Sequence, residues 1–130
     1  MSLKRLTAAQ LMTEAPIMVD PAETLRAAAR LMTEKHLHCL LVPAEPGRVV
    51  GVITSKDIIQ VLCEGEPELL DQLRVSDAMT APAVCVQEEL LIVDCLKLMR
   101  MSGVRSVPVV RGLTPVGILS FTDVLRAVSS

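Results

Sequence analysis

The chain repeats itself, and the repeat limits what it can fold into more than any other feature. Met12-Thr13 returns as Met79-Thr80, Leu31-Met32 as Leu98-Met99, Gly51-Val52-Ile53-Thr54 as Gly117-Ile118-Leu119-Ser120, and Asp57-Ile58 as Asp123-Val124. The early pairs lie 67 positions apart and the late pairs 66, so one deletion between strands relates two copies of a single unit. Each copy is small for a domain of its own, and the pair is expected to share one core.

Within each copy the patterns run strand, helix, strand, strand, helix. Asp20-Pro21-Ala22-Glu23 has the form of a helix start, with a capping carboxylate, a proline at the first helical position and an acid at the third. Leu25, Ala28, Ala29 and Met32 then fall on one face, as do Ile92, Cys95, Leu96 and Met99 in the second copy. Gln87 stands where Asp20 would, so the second helix has no obvious cap, whereas Gly103 suits its C-terminal end and His36 takes that place in the first copy. Leu37 to Val42 and Val104 to Val110 read as covered strands. Turns at Pro43 to Gly47 and Arg111 to Pro115 lead into strands Val49 to Thr54 and Val116 to Ser120, with helices from about Lys56 and Thr122. We divide the chain into an extension (1–8), a first repeat (9–63), a linker with a short helical tail (64–74) and a second repeat (75–130).

Composition narrows the function. Hydrophobic residues make up 51% of the 130 positions, with one Phe and no Trp or Tyr, so disorder is excluded and the core must be aliphatic. Thirteen Lys and Arg against fifteen Asp and Glu supply no basic field for a polynucleotide, and a single aromatic gives no base-stacking platform. No apolar run approaches the roughly 18 residues of a membrane span, so neither nucleic acid nor a membrane is an expected partner. Cys39, Cys63, Cys85 and Cys95 lack any Cys-x-x-Cys spacing and read as reduced, buried thiols of a cytoplasmic protein. His36-Leu37-His38-Cys39 offers three close metal ligands without a fourth, and Met12, Met32, Met79 and Met99 recur at packing positions.

The chemistry is concentrated in Gly-x-x-Ser/Thr-x-x-Asp, present as Gly51, Thr54, Asp57 and again as Gly117, Ser120, Asp123. Ser or Thr three residues before an acid is a helix N-cap box. A helix N-terminus with a hydroxyl and a preceding glycine also suits phosphate oxygens, and a carboxylate one turn along can accept from two ribose hydroxyls. Both readings can hold of the same residues. His38 and Arg105 occupy equivalent slots before the middle strand, where each reads as a surface residue or as a phosphate contact. Ile17, Val19, Val84 and Val86 on the first strand of each copy read as core or as an aliphatic wall for a base.

Taken together, the paired Met-Thr, Leu-Met and Gly-x-x-Ser/Thr-x-x-Asp segments and Val104-Arg105-Ser106-Val107-Pro108-Val109-Val110 resemble a tandem pair of cystathionine-β-synthase (CBS) domains, from about Ala9 to Val128. The resemblance implies an α/β (α+β) fold of two pseudo-twofold-related β-α-β-β-α repeats packed sheet to sheet, with two clefts between them for AMP, ADP, ATP or related adenosine compounds. It implies ribose binding at Asp57 and Asp123, and phosphate or ribose contact at Thr54, Ser120 and Thr122. Lys56 beside Asp57 departs from the two hydroxyls that flank Asp123, Ser120 and Thr122, which tilts the expectation toward the Asp123 cleft.

A non-catalytic regulatory module follows as the expected function, of the energy-sensing kind. No cofactor is required, and an adenosine nucleotide serves as regulatory ligand. A structural module with degenerate clefts is the alternative. Neither a Ser-His-Asp set nor paired carboxylates favour an enzyme. A homodimer through the apolar faces of Leu25 to Met32 and Ile92 to Met99 is expected, with a regulated protein acting in trans if these 130 residues are the whole chain.

Overall fold

The computed structural model describes residues 2–45 and 48–129. It is a mixed α/β structure that divides into two compact units, one formed by Ile17–Ala83 and the other by Met1–Pro16 together with Val84–Ser130.

In the first of these, α2 (Leu25–Lys35) precedes the antiparallel hairpin β2 (Cys39–Glu45) and β3 (Arg48–Thr54), and α3 (Ser55–Glu64) follows. Two short helices, α4 (Leu69–Gln72) and α5 (Val75–Ala78), complete the unit. Met18 pairs in parallel with Leu41 on one side of the hairpin, and Thr80 pairs antiparallel with Val52 on the other. The second unit repeats this plan with longer pairings. Its four-stranded sheet runs β1 (Thr13–Glu14), β6 (Thr114–Ser120), β5 (Ser106–Arg111) and β4 (Val86–Gln87), antiparallel except for β4 with β5. Around it lie a 3₁₀ turn (Leu3–Arg5), α1 (Ala8–Leu11), α6 (Ile92–Ser102) and α7 (Phe121–Ser129).

Each helix has one face in its unit's core. Leu25, Ala28 and Met32 of α2 pack with Leu40, Val42, Ile53 and Ile58; Ile92, Cys95 and Met99 of α6 pack with Val107, Val109, Leu119 and Val124. Full burial of one such side chain is worth about 1.5–3 kcal/mol. These are the faces expected to drive dimerisation, and the structure corrects that expectation, since they are already covered within their own units. Among the apolar side chains left in solvent are Ile59 of α3 (56% exposed), Leu125 (63%) and Val128 of α7, Met101 of α6 and Leu113 of the β5–β6 turn.

Asp20 does not start α2. Its carboxylate accepts from the Ala22 N–H at 2.7 Å and closes a turn, and the helix begins at Leu25 with the Thr24 hydroxyl accepting from Ala27 N–H at 3.1 Å. Asp20 satisfies a donor two residues on, which is the geometry of an Asx turn, and leaves the cap to the next hydroxyl. The α6 start has no side-chain cap, as expected from Gln87, whose amide instead exchanges hydrogen bonds with Gly112 across the hairpin turn. Both helix ends enter the left-handed region, at His36 (φ 55°) and Gly103 (φ 69°). The strands begin two residues later than expected at Cys39 and Ser106. The second turn shrinks to Gly112-Leu113, because Arg111 already pairs with Thr114. Of the first turn, Pro46 and Gly47 lie outside the described residues.

Candidate functional site

The two Gly-x-x-Ser/Thr-x-x-Asp segments have the same local geometry. Each spans the junction of a hairpin's second strand and the helix after it, so the hydroxyl residue is the N-cap and the aspartate the third residue of the helix. In the first, the Asp57 N–H donates to Thr54 Oγ1 (3.2 Å), while Asp57 Oδ2 accepts from Thr54 N (2.8 Å) and from Thr54 Oγ1 (2.9 Å). In the second, Ser120 and Asp123 reproduce these distances at 3.2, 2.8 and 2.9 Å. The capping box is therefore real in both copies. It commits one carboxylate oxygen and the only hydroxyl proton of Thr54 and of Ser120, so those hydroxyls can accept a further bond but cannot donate one to phosphate while the box stands.

His38 and Arg105 hold the helix starts through their backbones, their carbonyls accepting from Ser55 N (2.9 Å) and Phe121 N (3.1 Å). Both side chains are exposed, as are Lys56 and Thr122 beside the aspartates. Val19 and Val86 are buried core residues, whereas Ile17 and Val84 keep part of their surface in solvent.

The glycines have a different use from the phosphate approach they suggest in sequence. A Cβ on Gly117 would lie 2.8 Å from the Thr13 carbonyl oxygen and 2.5 Å from Met12 Sδ, and one on Gly51 would lie 2.7 Å from the Thr80 carbonyl oxygen. Each glycine admits the backbone of a Met-Thr segment. The partners are crossed relative to the repeat, since Met12-Thr13 lies on the strand of the second copy and Met79-Thr80 on that of the first.

This placement separates the two aspartates. Asp123 is 6% exposed, and its second oxygen, Oδ1, accepts from Thr13 Oγ1 (2.9 Å) and Arg126 Nη1 (3.2 Å). Asp57 is half-buried, and its Oδ1 accepts from nothing among the described residues. Thr80, which corresponds to Thr13, exchanges backbone hydrogen bonds with Val52, and Gln60, which corresponds to Arg126, donates to Glu64 at 3.0 Å. Sequence reasoning missed Thr13 and Arg126. The signal for Arg126 was its place three residues after Asp123 on a helix, where side chains meet; Thr13 gave none, being 110 positions away.

Cys39 lies behind Asp57. Burial, and secondarily the Asp57 charge, push its thiol up to about 12, and burial with Asp94 nearby pushes Cys95 up to about 11. Both cysteines are buried as expected, but Cys63 is exposed on α3 and Cys85 is only half-buried, so the expectation of four buried thiols fails at those two. Met32 and Met99 are core residues, and Met12 and Met79 pack against the cores. Among the described residues no group of three or more His, Cys, Asp and Glu is placed to hold a metal ion, and no helix is long and apolar enough to cross a membrane. A groove of about 530 Å³ runs between α2 and α3, lined by Met32, Thr33, Leu37, His38, Ser55 and Ile59 among others. Thr54, Lys56 and Asp57 are not part of it.

Known proteins are similar to this chain in sequence and in fold. A protein of Acidianus ambivalens, an uncharacterized 17.7 kDa protein, is 32% identical over 119 residues, covering 91% of this chain and 70% of its own length. Other curated relatives are longer, and the chain spans only 33% of the arabinose 5-phosphate isomerase of Salmonella typhimurium, to which it is 32% identical. Among solved structures, the hexameric CBS-CP12 protein from bloom-forming cyanobacteria superimposes with a TM-score of 0.85 at 32% identity, covering 92% of this chain and 69% of that one. CBSX2 in complex with AMP gives a TM-score of 0.80 at 26% identity, covering 95% and 96%. The family model of the CBS domain matches twice, at residues 8–64 and 75–130, and the chain belongs to the CBS domain family.

Proposed function

We propose that this chain is a non-catalytic regulatory module whose ligand is an adenosine nucleotide. The ribose hydroxyls are received by the aspartate of a Gly-x-x-Ser/Thr-x-x-Asp segment, and the phosphates by exposed donor side chains near it, Lys56, His38, Arg105 and Thr122. Ile17 and Val84 supply aliphatic surface for the base. One observation carries the reading: a capping box uses a single carboxylate oxygen, and Asp57 presents a second one that the helix start does not employ. CBSX2, similar over nearly the whole chain, is a complex with AMP.

The test is thermal unfolding with AMP, ADP, ATP, NADH and S-adenosylmethionine. A ligand at about one hundred times its Kd stabilises by about 2.7 kcal/mol, about 10 °C for a chain of this size. If none of the panel moves the transition at millimolar concentration, the chain is a structural module without a nucleotide.

Assembly is the second part of the reading. Ile59 and Leu125 are exposed at equivalent positions of the two repeats, and Val128 is exposed where the first repeat has the partly buried Leu62, so a similar apolar surface recurs on α3 and α7. We place a homodimer contact there, with the groove beside α3; the CBS-CP12 protein is a hexamer. Light scattering should give a dimer at tens of micromolar that Ile59→Glu with Leu125→Glu dissociates, and a monomeric parent refutes it. Free thiols at Cys39, Cys63 and Cys95 support the cytoplasm as location.

A further inference from the structure

We infer that the two repeats have divided their work, so that Asp57 alone receives a nucleotide and Asp123 is a structural tie holding the N-terminal strand to the last helix. The inference rests on the nucleotide reading and concerns which repeat carries it out; the order is the reverse of the one suggested by the hydroxyls flanking Asp123.

The reasoning is a count of acceptor positions. An ionised carboxylate has about four lone-pair sites. Asp123 uses four: Ser120 N and Oγ on Oδ2, Thr13 Oγ1 and Arg126 Nη1 on Oδ1. Asp57 uses two, Thr54 N and Oγ1, both on Oδ2. A ribose diol brings two donors, and they fit the two sites left on Asp57 Oδ1. At Asp123 the same diol must first displace a hydroxyl and a guanidinium from a side chain that is 6% exposed. Displacing Arg126 exchanges an ion pair for a hydrogen bond in which only the carboxylate is charged, and displacing Thr13 loosens a two-residue strand that has few other ladder bonds.

The cause lies in two positions. Thr13 and Thr80 occupy matching places beside the two glycines, but only the Thr13 hydroxyl reaches an aspartate. One turn beyond each aspartate the repeats differ outright, with Arg126 against Gln60, and an amide brings no charge and here turns away to Glu64. Around Asp57 the exposed Lys56 ammonium and the exposed His38 side chain, a hydrogen-bond donor, remain available to a phosphate chain, so the site suits a charged nucleotide better than an uncharged nucleoside.

Titration calorimetry of the full chain with AMP, ADP and ATP separately tests the count, and melting of the ligand-free protein tests the tie. The expected result is one site per chain, with Asp57→Asn weakening it at least tenfold and leaving no second site. Two sites in the parent, or one site intact in Asp57→Asn, overturns the inference. Independently, Thr13→Val and Asp123→Asn should each lower the apo melting temperature, and the double variant should melt no lower than Asp123→Asn alone. Additive losses overturn the tie. If none of the three nucleotides binds, the nucleotide reading falls and takes the single-site count with it, while the melting comparison still decides the tie.

Discussion

Replacing Gly117 by Ala probes the contact on which the second unit is built. Gly117 sits in β6 between Val109 of β5 and Glu14 of β1, with no room on the β1 side. The added Cβ would meet the Thr13 carbonyl oxygen at 2.8 Å, where ordinary contact starts at 3.4 Å, so β1 must retreat by the difference, 0.6 Å. Met12 Sδ, at 2.5 Å, can swing aside, but a backbone carbonyl in a strand cannot. Overpacking of this kind costs about 1–3 kcal/mol, against which the stiffer unfolded chain returns about 0.4–1 kcal/mol. The same retreat stretches the 2.9 Å Thr13–Asp123 bond toward its limit. A net loss of about 2 kcal/mol is expected, and at about 2.1 cal/mol/K per residue this lowers the melting temperature by about 7 °C. Circular dichroism melts of Gly117→Ala beside its parent measure it. In a Thr13→Val background the loss should shrink, because the bond to be stretched is already gone. A Gly117→Ala protein that melts at or above its parent refutes the close-approach reasoning.

Thr24→Ala should cost about 0.5–2 kcal/mol in urea unfolding by removing the α2 cap, and more than Asp20→Ala, which opens only a turn; the opposite order would restore Asp20 as the cap. In the native protein a thiol reagent at pH 8 should label Cys63 at once and Cys39 and Cys95 only on unfolding, as read by mass spectrometry. Because the raised thiol values of Cys39 and Cys95 exceed the ordinary value near 9, their contribution to stability is whole below about pH 9 and is lost as pH rises toward about 11 and 12. On the acid side, hydrogen bonds from Arg26 and Arg111 hold Asp71 and Glu88 below the usual carboxylate range. Their contribution is present above that range and fades as pH falls through it, so Asp71→Asn and Glu88→Gln should flatten the acid limb of a melting-versus-pH curve; an unchanged limb would show that these exposed pairs add nothing.

The order of strands and helices, the αL helix end at Gly103 and both capping boxes were legible in the sequence, because each depends on residues within one turn or one strand of each other. Duplication also made the family resemblance readable, since every weak motif occurred twice in the same order. The start of α2 was misread for a local reason: Asp20 and Thr24 both qualify as caps, and only the finished turn shows which donor each one meets. What tertiary structure alone decided is the crossing of the Met-Thr segments. Either Thr13 or Thr80 can satisfy either glycine by pattern, and no periodicity distinguishes a neighbour 38 positions away from one 104 away (Thr13 to Gly51 or to Gly117). Chain folding chose the distant one, placing the Thr13 hydroxyl on Asp123. Two aspartates that look alike in sequence thereby differ in the one property that bears on function, whether a carboxylate oxygen is left for another molecule, because that property depends on which side chains the fold brings to it from far along the chain.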